Sequence, residues 1–415
     1  FFDFSADCYR KVQLAEKERE MKLTEETPFF FIYSVWTKNG EYREQVKRLV
    51  TDYDNYISLK LAGDDAYLSE KMVGYPAELD EVYAESFEEQ KKEWFSCVGD
   101  GIQECRNTWE HKKWNITDFP EFELAITIDR PELYYDFLQK DWTRFCHDYW
   151  KNNFLEHHTL SQKRVTRIYI GNQFCHNLFP RKELLFQVLE KALENNLAVT
   201  LAFSYIRNHL LEEIDELLQE LEVWCQSREK EAGKDQEEII VNDWAMPILL
   251  QGKPHLKPVL GVLLNKRRKD VRLPYKQGIG NHVDSLAENN LNCGFYQDYL
   301  KNTFDIQRFE FESCGYKVTI PDGHHSLHLP FFQTNTSQYC TLYAVCRYGD
   351  RGKQKLTENC PRYCNKKVFL YPKHLKMVGR YNSLFGYDEK ILWDEKQLQD
   401  YLEQGIDRIV VNVSL

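Results

Sequence analysis

From Arg167 onward the sequence alternates short β-branched runs with amphipathic helical stretches, an order that few folds accept. Residues 167–171 read as a strand and 181–195 as a helix. Residues 198–203 form the next strand, followed by a long acidic helix over 210–226. A strand at 238–241 ends in Asn242-Asp243-Trp244, then comes a helical turn with Pro247 and a strand at 258–264. A helix near 295–303 precedes extended stretches at 307–311, 316–320 and 326–329. Such alternation predicts a parallel sheet with helices outside it. Residues 165–415 come close to the roughly 250 residues of one barrel domain. The expected class is therefore α/β, with a TIM-like (β/α) barrel; an open doubly wound sheet is the competing arrangement.

Residues 1–164 differ in texture and are expected to form a separate accessory domain, mainly helical with some strand. Apolar residues at helical spacing mark helices at 9–23, 85–99 and 132–154, and strands are expected at 27–35 and 123–128. Cys8, Cys97, Cys105 and Cys146 are scattered and read as small buried hydrophobes. Trp94, Trp109, Trp114, Trp142 and Trp150 either fill a core or supply a surface for a peptide or protein partner. A charged loop at 226–236 reads as a flexible insertion.

Composition narrows the function classes. The 415 residues carry a net charge of −11, which argues against a nucleic-acid binder held by a broad basic surface. The longest apolar runs, 29–33 and 409–411, fall far short of the ~18 residues of a membrane helix. There are 12 cysteines. The start, Phe1-Phe2-Asp3-Phe4, has no basic leader region, so a reducing cytoplasm is the expected compartment. In that compartment clustered cysteines bind metal more often than they pair. Phosphate-loop, dinucleotide, zinc-protease and serine-hydrolase motifs are missing, and Gly278-Ile279-Gly280 reads as a turn.

The chemically informative segment is Cys340-x5-Cys346-x13-Cys360-x3-Cys364. Four thiolates this close in sequence can converge on one centre, either an iron–sulfur cluster or a structural zinc. Zinc knuckles favour two closely spaced pairs, and only Cys360/Cys364 has that spacing. Nearby, His324, His325 and His328 crowd five positions, which suits a metal pair, an acid–base site or a polar turn. Lys266-Arg267-Arg268-Lys269 follows an expected strand and is either a solvated loop or a holder of an anionic substrate.

Taken in order, several segments resemble one family. Arg167–Cys175 is similar to its first barrel strand, ending in Gly, a polar residue and Cys. Ile240–Trp244 is similar to its Asn-Asp strand end, and Pro258–Asn265 to the strand after it. Arg308–Glu312 matches a strand ending in Glu. Leu329-Pro330 with Tyr339-Cys340-Thr341 resembles a segment carrying a cluster cysteine, and Cys360/Cys364 its closing pair. The family is the collagenase-like peptidase family U thirty-two. Its relatives include oxygen-independent ubiquinone-biosynthesis hydroxylase subunits and RNA-hydroxylation proteins. The resemblance covers about residues 165–385. It departs from the family at Asn172, where an acidic residue is common, and at Tyr339, where Arg is usual.

The resemblance implies a barrel with a [4Fe–4S] cluster held by Cys175, Cys340, Cys360 and Cys364, with Cys346 an extra thiol or alternative ligand. It also implies a redox or oxygen-independent hydroxylation enzyme. Chemistry is then expected at the C-terminal face of the barrel. Asp243, Glu312, His325 and His328 would be its acid–base groups, with Asn242, Lys266, Arg267 and Arg268 binding substrate. A peptide, RNA and a small organic acid remain open as substrates. For Asp243 the competing role is helix capping, and for Glu312 a buried salt bridge. A metal-stapled binding scaffold and a peptidase are the alternative functions.

Overall fold

A computed structural model describes residues 20–26, 31–36, 40–41, 82–83, 86–96, 119–232, 237–271, 286–353, 355–357, 359–371 and 375–413. Eight parallel strands form one sheet: β1 (Glu123–Ile128), β2 (Arg167–Gly171), β3 (Ala198–Ala202), β4 (Glu237–Val241), β5 (Leu256–Leu260), β6 (Glu310–Glu312), β7 (His325–Leu329) and β8 (Ile406–Val411). Except between β5 and β6, which are the two edges, each strand pairs with its neighbour in sequence, and β8 returns to pair with β1. A parallel bridge between Leu260 and Phe309 joins the two edges, with Leu260 N–H donating to the Arg308 carbonyl at 3.0 Å. The sheet is thus a nearly closed TIM-like barrel.

The helices arise where the sequence caps them. Pro131 opens Pro131–Gln139, where its missing N–H costs nothing. Asp141 caps Trp142–Asn152 by accepting from Arg144 N–H at 2.9 Å. The single helix expected over 132–154 is therefore two. Leu211–Ala232 runs through most of the stretch expected to be a loop. Residues 316–320 form no strand, whereas the helices around β2, β3 and β5 match the sequence periodicity closely.

The barrel begins at β1, well before the expected boundary at 164/165. The N-terminal segment also contributes directly to the body of the fold. Val82–Tyr83 pairs with Val368–Leu370 at the edge of a five-stranded antiparallel sheet inserted between β7 and β8. The helix Ser86–Phe95 packs on that sheet, with Trp94 stacked on Tyr387 at 5.1 Å and Phe95 edge-on to it. Trp94 and Trp150 are core residues and so offer no partner surface, while Trp142 is half-buried against the core. Trp109 and Trp114 lie outside the described residues, as do Cys8, Cys97, Cys105, most of the expected 9–23 helix and the Gly278 turn. Residues Glu20–Glu26, at the end of that stretch, form a strand paired with Phe31–Trp36. Among the described residues no helix is long and apolar enough to cross a membrane.

The barrel interior is partly charged. At its N-terminal end Glu123 takes Arg167 at 3.0 Å and Arg408 at 2.6 Å, while Glu238 accepts two bonds from Arg408 at 2.6 and 3.0 Å. Above this lies an apolar collar of Ala125, Tyr169, Ala202, Ile240, Val259 and Val410. Burial opposes the Glu238 charge, but Arg167 and Arg408 outweigh it and hold the carboxyl at about 2.

Candidate active site

The C-terminal ends of the strands enclose a cavity of about 40 Å³, lined among others by Thr127, Tyr169, Asn172, Glu312, His328 and Asn412. At roughly 10–15 Å³ of such space per water, it holds about three waters or one small functional group. His328 is buried on its wall, and its Nε2 is hydrogen-bonded to Glu310 Oε2 one rung below. Tyr169 O–H donates to both Glu310 oxygens at 3.1 and 3.2 Å, and Arg408 donates to the Tyr169 oxygen at 3.2 Å. Burial alone would raise the Glu310 carboxyl, but the hydrogen bond from His328 and the Arg408 charge win and hold it below the ordinary range.

The sequence-nominated residues separate into distinct roles. Glu312 reaches the cavity, but its Oε2 is bridged by Lys269 at 2.5 Å and its Oε1 accepts from Gln333 N–H at 2.7 Å. It is a buried salt bridge at the mouth. Asp243 is a cap: its Oδ1 accepts from Ala245 and Met246 N–H at 3.0 and 3.1 Å, and its Oδ2 from Ile206 N–H. Asn242 is also structural, joining the Phe203 carbonyl at 2.7 Å to Leu263 N–H at 3.1 Å. That stitch requires Gly261, because a side chain there would collide with Asn242 Oδ1.

Two expectations fail on position. His325 is the first residue of β7, so it lies at the opposite end of the barrel from the mouth. It stacks on Phe309 at 4.8 Å, and burial pushes its imidazole down to about 4. Arg267 is buried, donating to Cys314 Sγ at 2.8 Å and to the Glu312 carbonyl, which removes it from substrate binding. Arg268 lends its carbonyl to Tyr316, and Lys266 is exposed with its backbone N–H on Asn290. Sequence reasoning missed Glu310 and Tyr169. Their signal was the alternation of polar residues within apolar strands, Tyr169 between Ile168 and Ile170, Glu310 between Phe309 and Phe311.

Cys175 directly follows Phe174, which lines this cavity, and Cys360 lines a second cleft. Cys175 follows β2 on a loop turned by Asn172, whose Oδ1 accepts from Phe174 and Cys175 N–H, both at 2.9 Å. Cys340 caps the helix Thr341–Tyr348, its sulfur accepting from Tyr343 N–H at 3.3 Å. Cys364 sits in the short turn Tyr363–Asn365, just after Arg362 in a left-handed conformation. Cys340 lies within electrostatic range of Cys175, Cys364 and Cys360, and Cys364 within range of Cys175 and Cys360. Cys346 registers none of them; its neighbour is Lys367. Burial raises the Cys175 thiol to about 11 and Cys364 to about 12, and raises Cys340 further still, so unliganded they are neutral.

Among the described residues no three His, Cys, Asp or Glu side chains form a tight cage for one ion. A zinc with Zn–S near 2.3 Å would need its sulfurs within about 4 Å of one another. A four-iron cluster spans its thiolates more widely. One feature of the surroundings suits thiolates held together. Arg207 Nε is buried with no hydrogen-bond partner, and its guanidinium charge acts on Cys175. On the far side of Cys360 opens a cleft of about 810 Å³, lined by His176, Arg181, Tyr205, Glu213 and Arg362 among others. Compared with family models, with curated proteins and with solved structures, the chain matches none.

Proposed function

We propose that this chain is an iron–sulfur enzyme of the redox or oxygen-independent hydroxylation type, as its resemblance to the U thirty-two peptidase family suggests. What supports the reading is that Cys175, Cys340, Cys360 and Cys364 lie within electrostatic range of one another, on the loop after β2 and in the segment between β7 and β8. Cys346 is left out of the ligand set. A cluster bound there would supply an electron-transfer centre or a Lewis-acidic iron. The chain's own residues hold and orient: Tyr343 N–H and the Arg207 guanidinium offset thiolate charge. The large cleft beside Cys360 gives a substrate access, while the small cavity on the other side of the Cys175 loop admits only a small group.

The test is iron and acid-labile sulfide content, with the visible spectrum, on protein purified without oxygen. A brown protein with about four irons and four sulfides per chain supports the proposal. A colourless protein holding one zinc and no sulfide overturns it in favour of a metal-stapled scaffold.

A further inference from the structure

We infer that His328 is a general base for a hydroxyl group or water in the mouth cavity, and that Glu310, steadied by Tyr169, is its positioning residue. This goes beyond the cluster proposal and does not depend on it.

The geometry has the three parts that an oriented base requires. His328 lines the cavity, and its hydrogen bond runs from Nε2 to the Glu310 carboxylate. Among the described residues Nδ1 has no hydrogen-bond partner. Glu310 is wholly buried and is itself held by Tyr169 O–H at 3.1 and 3.2 Å. The Tyr169 ring stands edge-on to the imidazole at 5.4 Å and fixes its plane. A buried carboxylate on Nε2 keeps that nitrogen protonated, which leaves Nδ1 as the acceptor. In the step, the proton of a hydroxyl in the cavity moves to Nδ1, and the oxygen keeps the electron pair. The imidazolium so formed is offset by Glu310, whose hydrogen bond to Nε2–H persists throughout.

Several charged and titratable groups surround the ring. Glu312 is spent on Lys269. Arg408 acts through Tyr169, and Glu238 is spent on Arg408 and Arg167. Asp129 lines the same cavity. The cavity volume limits the reacting group to a hydroxyl, a water or a fragment of similar size.

The test uses the whole protein with ¹⁵N-labelled histidine, and water as the probe. His328→Gln assigns the signals. The expected result is a neutral ring protonated on Nε2, with a low-field Nε2–H resonance that exchanges with water within seconds. Glu310→Gln removes the low-field resonance, and Tyr169→Phe shifts it while keeping the tautomer. If Glu310→Gln fails to fold, Tyr169→Phe alone decides. A proton on Nδ1, a low-field signal unmoved by either variant, or exchange taking hours would each overturn the inference, because each describes a sealed structural hydrogen bond. Iron and sulfide content is read separately, so loss of the cluster proposal leaves this result intact.

Discussion

Glu238→Gln removes one carboxylate from the floor of the barrel, and its cost should depend on pH in a calculable way. Glu238 is nearly buried and shared between Arg408 and Arg167. Its carboxyl is held at about 2, against an ordinary value of 4.5. A depressed carboxyl contributes stability that is present above its unfolded value and lost as pH falls through its folded value. The full shift is worth about 3.4 kcal/mol at pH 7. At pH 3 only about 1.4 kcal/mol of this remains, so about 2 kcal/mol is lost between the two. Breaking a buried pair from one side costs about 3–5 kcal/mol, which sets the expected penalty of Glu238→Gln at neutral pH. Urea unfolding of the wild type and the variant at pH 7, 5, 4 and 3 measures it, provided the urea slope is the same for both. The difference should shrink by about 2 kcal/mol from pH 7 to pH 3. A difference that is flat across this range, or below about 1 kcal/mol at pH 7, refutes the argument that the arginines hold this carboxylate ionised.

Cys346→Ser should retain iron and sulfide at the wild-type level, whereas Cys175→Ser should lose most of both on anaerobic purification. The reverse result would exchange their roles. Gly261→Ala should lower the unfolding free energy by about 1–3 kcal/mol through the collision with Asn242, read as a shift in urea midpoint. Asp243→Ala should cost about 1–2 kcal/mol through the lost cap, while Asp243→Asn, whose one amide oxygen can still accept from Ala245 and Met246 N–H but whose NH2 cannot accept from Ile206 N–H, should cost less; equal losses would make the Ile206 bond or the charge the larger contribution. Lys91 is buried among neutral acceptors, Asn153 Oδ1 at 2.6 Å and the Val413 carbonyl at 2.5 Å, and burial lowers it from 10.5 to about 7. A lowered lysine means that the unfolded chain binds more protons from pH 7 upward. Stability should then rise from pH 7 toward 10.5, by up to about 1.4 kcal/mol per unit, and Lys91→Met should abolish that rise in thermal or urea midpoints.

Local chemistry wrote much of this protein into its sequence. The β-branched runs at β2, β3 and β4 and the amphipathic helices after β2 and β3 were legible, because periodicity reports which face of an element is buried. The competing capping role of Asp243 was legible for a related reason: it involves N–H groups two and three positions along the chain. What was not legible depends on pairing between distant strands. Nothing local says that β1 pairs with both β2 and β8, and so belongs to the barrel rather than to an accessory domain. Nor does spacing say where β7 begins. A start at His325 puts that ring at the floor, beneath the helices, and turns His328 into the lumen near the mouth, because a strand reverses its side chains at every residue. The same alternation brings Glu310 to His328 and Tyr169 to Glu310 from strands far apart in sequence. Sequence alone specified the elements and the thiols; the register of the closed sheet decided which side chains meet, because register is a property of pairs of strands and not of any one of them.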